Sequence, residues 1–434
     1  MNSVAIGVIG TIILVIFMCI RMPVGMSMAF VGLFGAMLIM SPQAALSMIS
    51  RDFFETFSSY NLTVIPLFVF MGAIAFASGI SGRLYKAGYI LMGKFPGGLA
   101  MATIAACAGF AAICGSTNAT AAAMGKVALP EMKKYGYDDS LATGCVASAG
   151  TLGILIPPST IFIIYGIMTE QSIGKLFISG VLPGVLLSAL FCIVVAIWCW
   201  KNPNAAPAGG PTTWREKLDG AVGAFETLFL FLLVILGIFL GWFSPTQAAA
   251  AGCAGTLLIG LLRRQMTWKG LWEGVIDSVK ITCMIMVILA GAMVFGHFIA
   301  IARIPLVLSE WVTMLQLPPL AVMGVIIFIY FIGGCFMDSL AMITLTVPIF
   351  YPAVTALGFD PIWFGVIIVL VVQMGVITPP VGINVYVVNG IATGVPLQTI
   401  FRGIFPFLYA IVICVVLICI FPEIATILPS FMTY

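Results

Sequence analysis

The hydrophobic residues of this chain form long runs that polar segments interrupt only briefly. A helix of about 20 apolar residues crosses the hydrocarbon core of a membrane, and runs of that length recur along the whole chain. The pattern predicts ten spans, at 4–20, 23–40, 61–79, 140–168, 181–200, 222–242, 245–262, 278–301, 361–390 and 404–421. We therefore expect an all-α, multi-pass membrane protein with about 10 to 12 transmembrane spans.

Two further apolar segments, 97–134 and 317–352, are expected to enter the membrane and return on the same side. In the first segment only 130 − 118 = 12 residues separate Asn118 from Pro130. They rise about 18 Å as a helix, which is too short for a hydrocarbon core of about 30 Å. Each segment is thus predicted to be a re-entrant helical hairpin, with the tips CGSTNAT and GGCFMDSLA.

The basic residues indicate the orientation, because Lys and Arg collect in cytoplasmic loops. They flank the first hairpin at both ends, which places its base in the cytoplasm. With a periplasmic amino terminus, the cytoplasmic side also receives Arg21, Lys201, Arg215, Lys217, Arg263, Arg264, Lys269, Lys280 and Arg402. The exceptions are Arg51, Lys175 and Arg303. The sequence therefore predicts a protein of the bacterial inner membrane with its amino terminus in the periplasm.

An internal repeat relates the two halves of the chain. The matched residues share an offset of 358 − 136 = 222 positions and are Gly136 with Gly358, Gly153 with Gly375, Pro157 with Pro379 and Pro130 with Pro352. Counting the spans places the second hairpin on the periplasmic side, so the repeats are inverted, as in many secondary transporters. The predicted organisation is a first repeat at 1–200, a cytoplasmic linker at 201–217 and a second repeat at 218–434.

The span after each hairpin is interrupted by two consecutive prolines, in the motifs IPPS within 140–168 and TPPVG within 361–390. Prolines open the helical hydrogen-bond ladder, and unwound backbone inside a membrane must be buried or line a cavity. Free carbonyls at such breaks suit a hard cation, and half-helix amino termini suit an anion. Each tip and break therefore predict one Na⁺ site, the first with Ser116, Asn118, Gly150 and Gly153 and the second with Gly334, Asp338, Gly375 and Thr378.

Three charged or titratable residues have two interpretations each. Asp338 is predicted at mid-membrane depth, where it either caps a helix or binds cation or substrate. Arg303 lies near the outer end of its span, where it either extends to the interface or binds a carboxylate. His297, the single histidine, is expected to be a satisfied interior residue, with a proton relay as the alternative.

Composition excludes several classes of protein. Hydrophobic residues make up 62% of the chain and charged residues 8%, with a mean hydropathy of +1.21, whereas soluble domains carry about 25% charged residues. The sequence contains no G-x-x-x-x-G-K-[ST] loop, so ATP is not expected to be the direct energy source. The sequence also lacks the rings of charge typical of channels and the constellation of residues typical of an active site, so neither a channel nor an enzyme is expected. A nucleic-acid partner is not expected either.

The hairpin tips, the IPPS break, the inverted second copy and the TPPVG motif together resemble the large membrane subunit of tripartite ATP-independent periplasmic (TRAP) transporters, a branch of the ion transporter superfamily. The resemblance implies an elevator in which hairpins and broken helices move against a scaffold, with Na⁺ as the coupling ion. It also implies two partners, a small four-helix membrane subunit (Q-type) and a periplasmic substrate-binding protein (P-type).

Members of this family carry C4-dicarboxylates, sialic acids and other organic acids. The resemblance therefore implies sodium-coupled uptake of a small organic acid, with substrate contacts from Ser116, Ser159, Arg303 and Asp338. Two alternatives stay open, namely a proton-coupled carrier in which Asp338 titrates and a stand-alone organic anion/sodium symporter of the wider superfamily.

Overall fold

The structure is a computed structural model that describes residues 2–20, 22–210, 214–314 and 317–432. In these ranges the chain forms twenty α-helices and two 3-10 segments, with no β-strand. The all-α fold predicted from the sequence is confirmed. Arg21, predicted to be cytoplasmic, and linker residues 211–213 lie outside the described residues.

The first half contains ten α-helices. They are α1 (Ser3–Cys19), α2 (Val24–Ile39), α3 (Pro42–Ser58), α4 (Val64–Ala77), α5 (Ile80–Met92), α6 (Gly98–Cys114), α7 (Thr117–Lys134), α8 (Asp139–Gly150), α9 (Thr160–Thr169) and α10 (Ile173–Lys201). Helices α6 and α7 are the arms of the first hairpin, and α8 and α9 are the two parts of the first broken helix. The 3-10 segment Tyr60–Thr63 precedes α4, and Thr151–Ile154 follows α8.

In the second half a hairpin and a broken helix again follow one another, after four helices rather than five. Its helices are α11 (Trp214–Phe239), α12 (Pro245–Leu262), α13 (Trp268–Ile301), α14 (Ile304–Met314), α15 (Pro319–Phe336), α16 (Ser339–Ala356), α17 (Pro361–Ile377), α18 (Ile383–Ile391), α19 (Leu397–Ile420) and α20 (Glu423–Ser430). Helices α15 and α16 form the second hairpin, and α17 and α18 form the second broken helix.

The helices fit the predicted spans closely at some ends and overrun them at others. Helix α13 begins 278 − 268 = 10 residues before its predicted span, and its 34 residues exceed what a hydrocarbon core requires. Helix α16 continues through Pro352 to Ala356, four residues beyond the predicted end of the hairpin (356 − 352 = 4). Pro352 therefore does not end α16.

Eight helices among the described residues are long and apolar enough to cross a membrane, and five shorter helices of 10–17 residues are also apolar. The eight include both arms of the second hairpin, α15 and α16. Hydropathy alone therefore does not separate a crossing helix from a re-entrant one. The hairpin assignment depends on where the tips lie, which only the packing shows.

Hydropathy did not predict the amphipathic helices α3, α5, α14 and α20, because their apolar residues lie on one face only. Helix α3 also buries one charged residue, Asp52, which is 3% exposed. Its Oδ2 lies 2.9 Å from Nδ1 of His297 in α13. The histidine thus has the partner expected for it, but its side chain is 48% exposed rather than interior.

Buried side chains of the described residues form two hydrophobic cores. The larger core contains both hairpins, both broken helices, α10 and α19, and it extends to α4, α11 and α12. The smaller core lies between α1, α2 and the carboxyl-terminal half of α13, around Leu14, Met28 and Phe298. The repeated elements thus pack together, while the first two helices pack on α13.

Candidate functional site

The two hairpin tips have the same local design. Ser116 is the N-cap of α7, where its Oγ accepts a hydrogen bond from the backbone N–H of Ala119 at 3.4 Å. Asp338 is the N-cap of α16, where its Oδ2 accepts from the N–H of Leu340 at 3.2 Å. The two residues are equivalent in the repeat, since 338 − 116 = 222. Serine and aspartate both satisfy the free N–H groups of a helix start, so each tip ends in a capped amino terminus.

Each broken helix opens where the prolines predicted it to open. The first break runs from the end of α8 at Gly150 to Thr160, and the second from Ile377 to Ile383. The Pro157–Pro158 and Pro379–Pro380 peptide bonds are both cis. Ser159 ends the first break, where it is fully buried, donates to the carbonyl of Ile154 at 2.5 Å and caps α9.

The first tip and the first break are in backbone contact. A Cβ atom on Gly153 would lie 2.3 Å from the carbonyl oxygen of Ser116. A Cβ atom on Gly150 would lie 2.7 Å from the Cβ of Ala121, in the first turns of α7. Only glycine permits this approach, because real Cβ contacts are longer than these distances. The structure therefore brings together three of the residues predicted for the first sodium site.

The second tip and the second break meet in the same way. A Cβ atom on Gly375 would lie 2.3 Å from the carbonyl carbon of Gly334, so the two backbones touch. The Thr378 hydroxyl, three residues later, donates to the carbonyl of Met374 at 2.6 Å. Gly334 and Gly375 of the predicted second sodium site are thus neighbours, with Asp338 one turn beyond Gly334 in the chain.

Both tips line one cavity with a volume of about 660 Å³. The first tip contributes residues 116–119 and the second contributes residues 338–340. Helices α4 and α13 also line it, together with Ile154 of the first break and Thr160 and Ile161 at the start of α9. Two segments more than 200 positions apart in the sequence therefore face the same space.

The charged lining of this cavity is acidic. Asp338, Glu273 and Asp277 line it, and none of the described lining residues is Lys or Arg. Glu273 and Asp277 lie 3.9 Å from Lys269 and Lys280, in exposed pairs on α13. Asp338, in contrast, has no basic side chain within 4.0 Å in the described part of the chain. The carboxylate of Asp338 therefore attracts a cation, and an anion entering the cavity needs a cation beside this carboxylate.

Two of the predicted substrate residues lie elsewhere in this conformation. Ser159 faces the backbone of its own break and does not line the cavity. Arg303 follows the carboxyl terminus of α13, is exposed and is also absent from the lining. Ser116 and Asp338 are therefore the two predicted substrate residues that the structure brings together, and Asn118 of the first sodium site lies beside them in the lining.

Residues 11–424 match the model of one family, described as "Tripartite ATP-independent periplasmic transporter, DctM component". The chain belongs to this family. It is a TRAP large permease, as the motifs had indicated.

Two relatives agree with this assignment, and one solved structure shares the fold. The C4-dicarboxylate TRAP transporter large permease DctM of Pseudomonas aeruginosa is 37% identical over 92% of this chain and 94% of its own length. The sialic acid TRAP transporter large permease SiaM of Vibrio cholerae is 31% identical over 94% and 95%. The YdaH transporter of Alcanivorax borkumensis shares the fold, with a TM-score of 0.62 at 14% identity over 90% of this chain and 88% of its own.

Two buried amides without a role predicted from the sequence join the broken helices of this TRAP permease. Gln373 Nε2 donates to the carbonyl of Thr151 at 2.9 Å, and Asn384 Nδ2 donates to the carbonyl of Ala147 at 3.1 Å. Both side chains are fully buried. A signal existed in the sequence, because Gln373 is a polar residue inside the apolar run of α17. Buried polar groups of this kind need partners, and here the partners are in the other repeat.

A charged cluster ties α5 to α11 and to the end of α12. Glu226 of α11 lies between Arg83 of α5 and Arg263, with its Oε2 3.1 Å from Arg83 Nε. Arg83 also donates to the carbonyl of Ser78 at 2.9 Å and to the side chain of Gln265. Burial lowers the pKa of the Arg83 guanidinium below the usual value of arginine, and the Glu226 carboxylate opposes that shift. Because α5 also packs along the first hairpin, this cluster connects that hairpin with α11 and α12.

Proposed function

We propose that this permease carries out sodium-coupled uptake of a small organic acid across the bacterial inner membrane. The observation that supports this most directly is the shared cavity, into which the two hairpin tips bring Ser116 and Asp338. Secondary transporters with inverted repeats bind substrate and ions where the repeats meet. A cavity with acidic lining suits an anion that travels together with Na⁺.

The proposed sodium sites lie behind the tips, where each tip touches its break. The first site uses Ser116, Asn118, Gly150 and Gly153, and the second uses Gly334, Asp338, Gly375 and Thr378. The close approach of Gly153 to Ser116 and of Gly375 to Gly334 brings backbone carbonyls together at both places. Oxygen ligands of this type, with a carboxylate at the second site, suit a hard cation such as Na⁺.

The proposed substrate is a small organic acid of the C4-dicarboxylate or sialic acid class. Support comes from the names of the relatives, of which the C4-dicarboxylate permease is 37% identical and the sialic acid permease 31%. Ser116 and Asp338 are proposed to face the substrate in the cavity. Substrate roles for Ser159 and Arg303 stay predictions, because both lie away from the lining here.

An elevator is the proposed mechanism. The hairpins and broken helices share the larger core and would move as one body, while α1 and α2 pack on the carboxyl-terminal half of α13 in the smaller core, which Leu345 of the second hairpin also joins. The cavity lies between the hairpin tips and α13, which is where a moving body would meet the scaffold. The proposed orientation has a periplasmic amino terminus, and a Q-type membrane subunit and a P-type periplasmic binding protein are the proposed partners.

Reconstitution tests this function. The permease would be placed in proteoliposomes together with the small membrane subunit and binding protein from its own operon, and uptake of radiolabelled succinate and of N-acetylneuraminic acid would be measured. A sodium gradient alone should drive accumulation of one of them, and it should do so only with the binding protein present. Accumulation driven by a pH gradient without sodium would instead establish the proton-coupled alternative, in which Asp338 exchanges protons.

A further inference from the structure

One hydrogen bond crosses between the two broken helices at equivalent positions of the repeats. Gln373 Nε2 donates to the carbonyl oxygen of Thr151 at 2.9 Å, and 373 − 151 = 222 is the repeat offset. The pseudo-twofold axis that relates the two repeats therefore passes between these two residues. The residue types differ, however, so only the second repeat supplies a side chain that reaches across.

This bond joins the two proposed sodium sites. Thr151 lies in the first break between Gly150 and Gly153, which touch the first hairpin. Gln373 lies two residues before Gly375, which touches the second hairpin. A displacement of either break on binding an ion therefore reaches the other break through one side chain and a short length of backbone.

The environment of Gln373 makes it sensitive to such a displacement. Its side chain is fully buried and its Oε1 has no hydrogen-bond partner, so the single bond to Thr151 satisfies only part of the amide. Asn384, in the second half of the same broken helix, repeats the arrangement, with Nδ2 bound to the carbonyl of Ala147 and Oδ1 unpartnered. In a low-dielectric interior, hydrogen bonds are strong and partly satisfied groups are costly, so both amides favour one relative position of the two breaks.

We propose that Gln373 is a positioning residue that couples the two sodium sites, so that an ion at one site raises the affinity of the other. The amide holds both breaks in the geometry that binds sodium and transmits the occupancy of one to the other. This inference rests on the proposed sodium-coupled function and extends it from two separate sites to one cooperative unit.

The test compares the sodium dependence of uptake in the reconstituted system for wild type and Gln373→Met. Methionine keeps the length and volume of glutamine but removes the bond to Thr151. The half-saturating sodium concentration should rise by at least about fivefold, the lower end of typical coupling between sites. The Hill coefficient for sodium should fall from near 2 toward 1, because two uncoupled sites fill independently.

Trp363→Phe is the matched control. Trp363 Nε1 donates to the carbonyl of Ile418 at 2.9 Å, in the same helix, 373 − 363 = 10 residues from Gln373. This variant also loses one buried bond to a carbonyl, but at a place remote from both breaks, so its Hill coefficient should equal that of wild type. Sodium-dependent thermal stabilisation of the purified proteins provides a second measure of binding, independent of transport.

The results separate this inference from the proposed function. A sodium-dependent wild type with an unchanged Hill coefficient and half-saturation in Gln373→Met overturns the coupling role alone. Uptake by wild type that does not depend on sodium overturns the proposed function and the coupling role with it. If Gln373→Met does not give a monodisperse protein in detergent, Gln373→Leu takes its place under the same criteria.

Discussion

Ser116 and Asp338 occupy equivalent positions in the two repeats, cap the second helix of each hairpin and line the same cavity. The repeat thus places a neutral hydroxyl at one tip and a carboxylate at the other. Two half-helix amino termini with different caps converge on one space of about 660 Å³. This asymmetry makes the cavity suitable for a substrate and cations together.

Asp338→Asn should abolish coupled uptake. Asparagine is as good an N-cap as aspartate, so the start of α16 should persist while the negative charge in the cavity disappears. We expect initial uptake in proteoliposomes to fall by at least tenfold, which corresponds to about 1.4 kcal/mol. The melting temperature of the purified variant should stay close to that of wild type.

Asp360→Asn provides the control for this variant. Asp360 caps α17 in the same repeat, with its Oδ1 2.8 Å from the N–H of Trp363, and it is not part of the cavity lining. It should retain normal uptake. Normal uptake by Asp338→Asn as well would remove Asp338 from the proposed sites.

Gly375→Ala should displace the second hairpin. The added methyl group would lie 2.3 Å from the carbonyl carbon of Gly334, and backbone cannot retreat as a side chain can. Overpacking of this kind typically costs about 1–3 kcal/mol. We expect a lower melting temperature and loss of uptake, measured in detergent and in proteoliposomes.

Gly390→Ala is the matched substitution in α18, where a Cβ atom would meet nothing within 4 Å. Alanine in an exposed helix position should be neutral or stabilise by about 0.5–1 kcal/mol. Equal stability of the two alanine variants would show that the Gly334–Gly375 contact does not constrain the hairpin.

The inverted repeat predicts opposite faces for two equivalent helix ends. Lys134 ends α7 and Ala356 ends α16, with 356 − 134 = 222, and both residues are exposed. In a cysteine-free background, Lys134→Cys should react with an impermeant thiol reagent from the cytoplasmic side and Ala356→Cys from the periplasmic side. Labelling of both from one side would contradict the proposed inverted arrangement of the hairpins.

Glu226→Gln should destabilise the junction of α5 with α11 and α12. The substitution removes the negative charge between Arg83 and Arg263 and leaves two cations facing each other. Hydrogen bonds to charged groups contribute about 1.5–3 kcal/mol, so the free energy of unfolding should fall by that order. Thermal unfolding in detergent measures the effect.

Glu55→Gln is the comparison for Glu226. Glu55 pairs with Arg51 on α3 at 2.7 Å, but the two side chains are 55% and 76% exposed. Exposed pairs contribute about 0.2–1 kcal/mol, so this variant should melt near the wild-type temperature. A larger loss for Glu55→Gln than for Glu226→Gln would contradict the structural role given to the buried cluster.

The sequence by itself determined most of the membrane helices, the tips and the breaks of this permease. Apolar runs, Pro-Pro pairs and a capping residue such as Asp338 act on backbone within a few positions of themselves, so their effects can be read in order along the chain. The repeat offset then related the two halves without any knowledge of their packing. The amphipathic helices were not predicted, because the residues of their polar face lower the mean hydropathy of the segment.

Only the tertiary structure decided which distant groups meet. The shared cavity of the two tips, the bond from Gln373 to Thr151, the pairing of His297 with Asp52 and the position of Arg303 outside the lining all depend on contacts between separate elements. Such contacts follow from how whole helices pack, and at Gly153 and Gly375 from backbones that touch because no side chain separates them. Packing sums many weak interactions over the entire fold, so no local pattern of residues contains it.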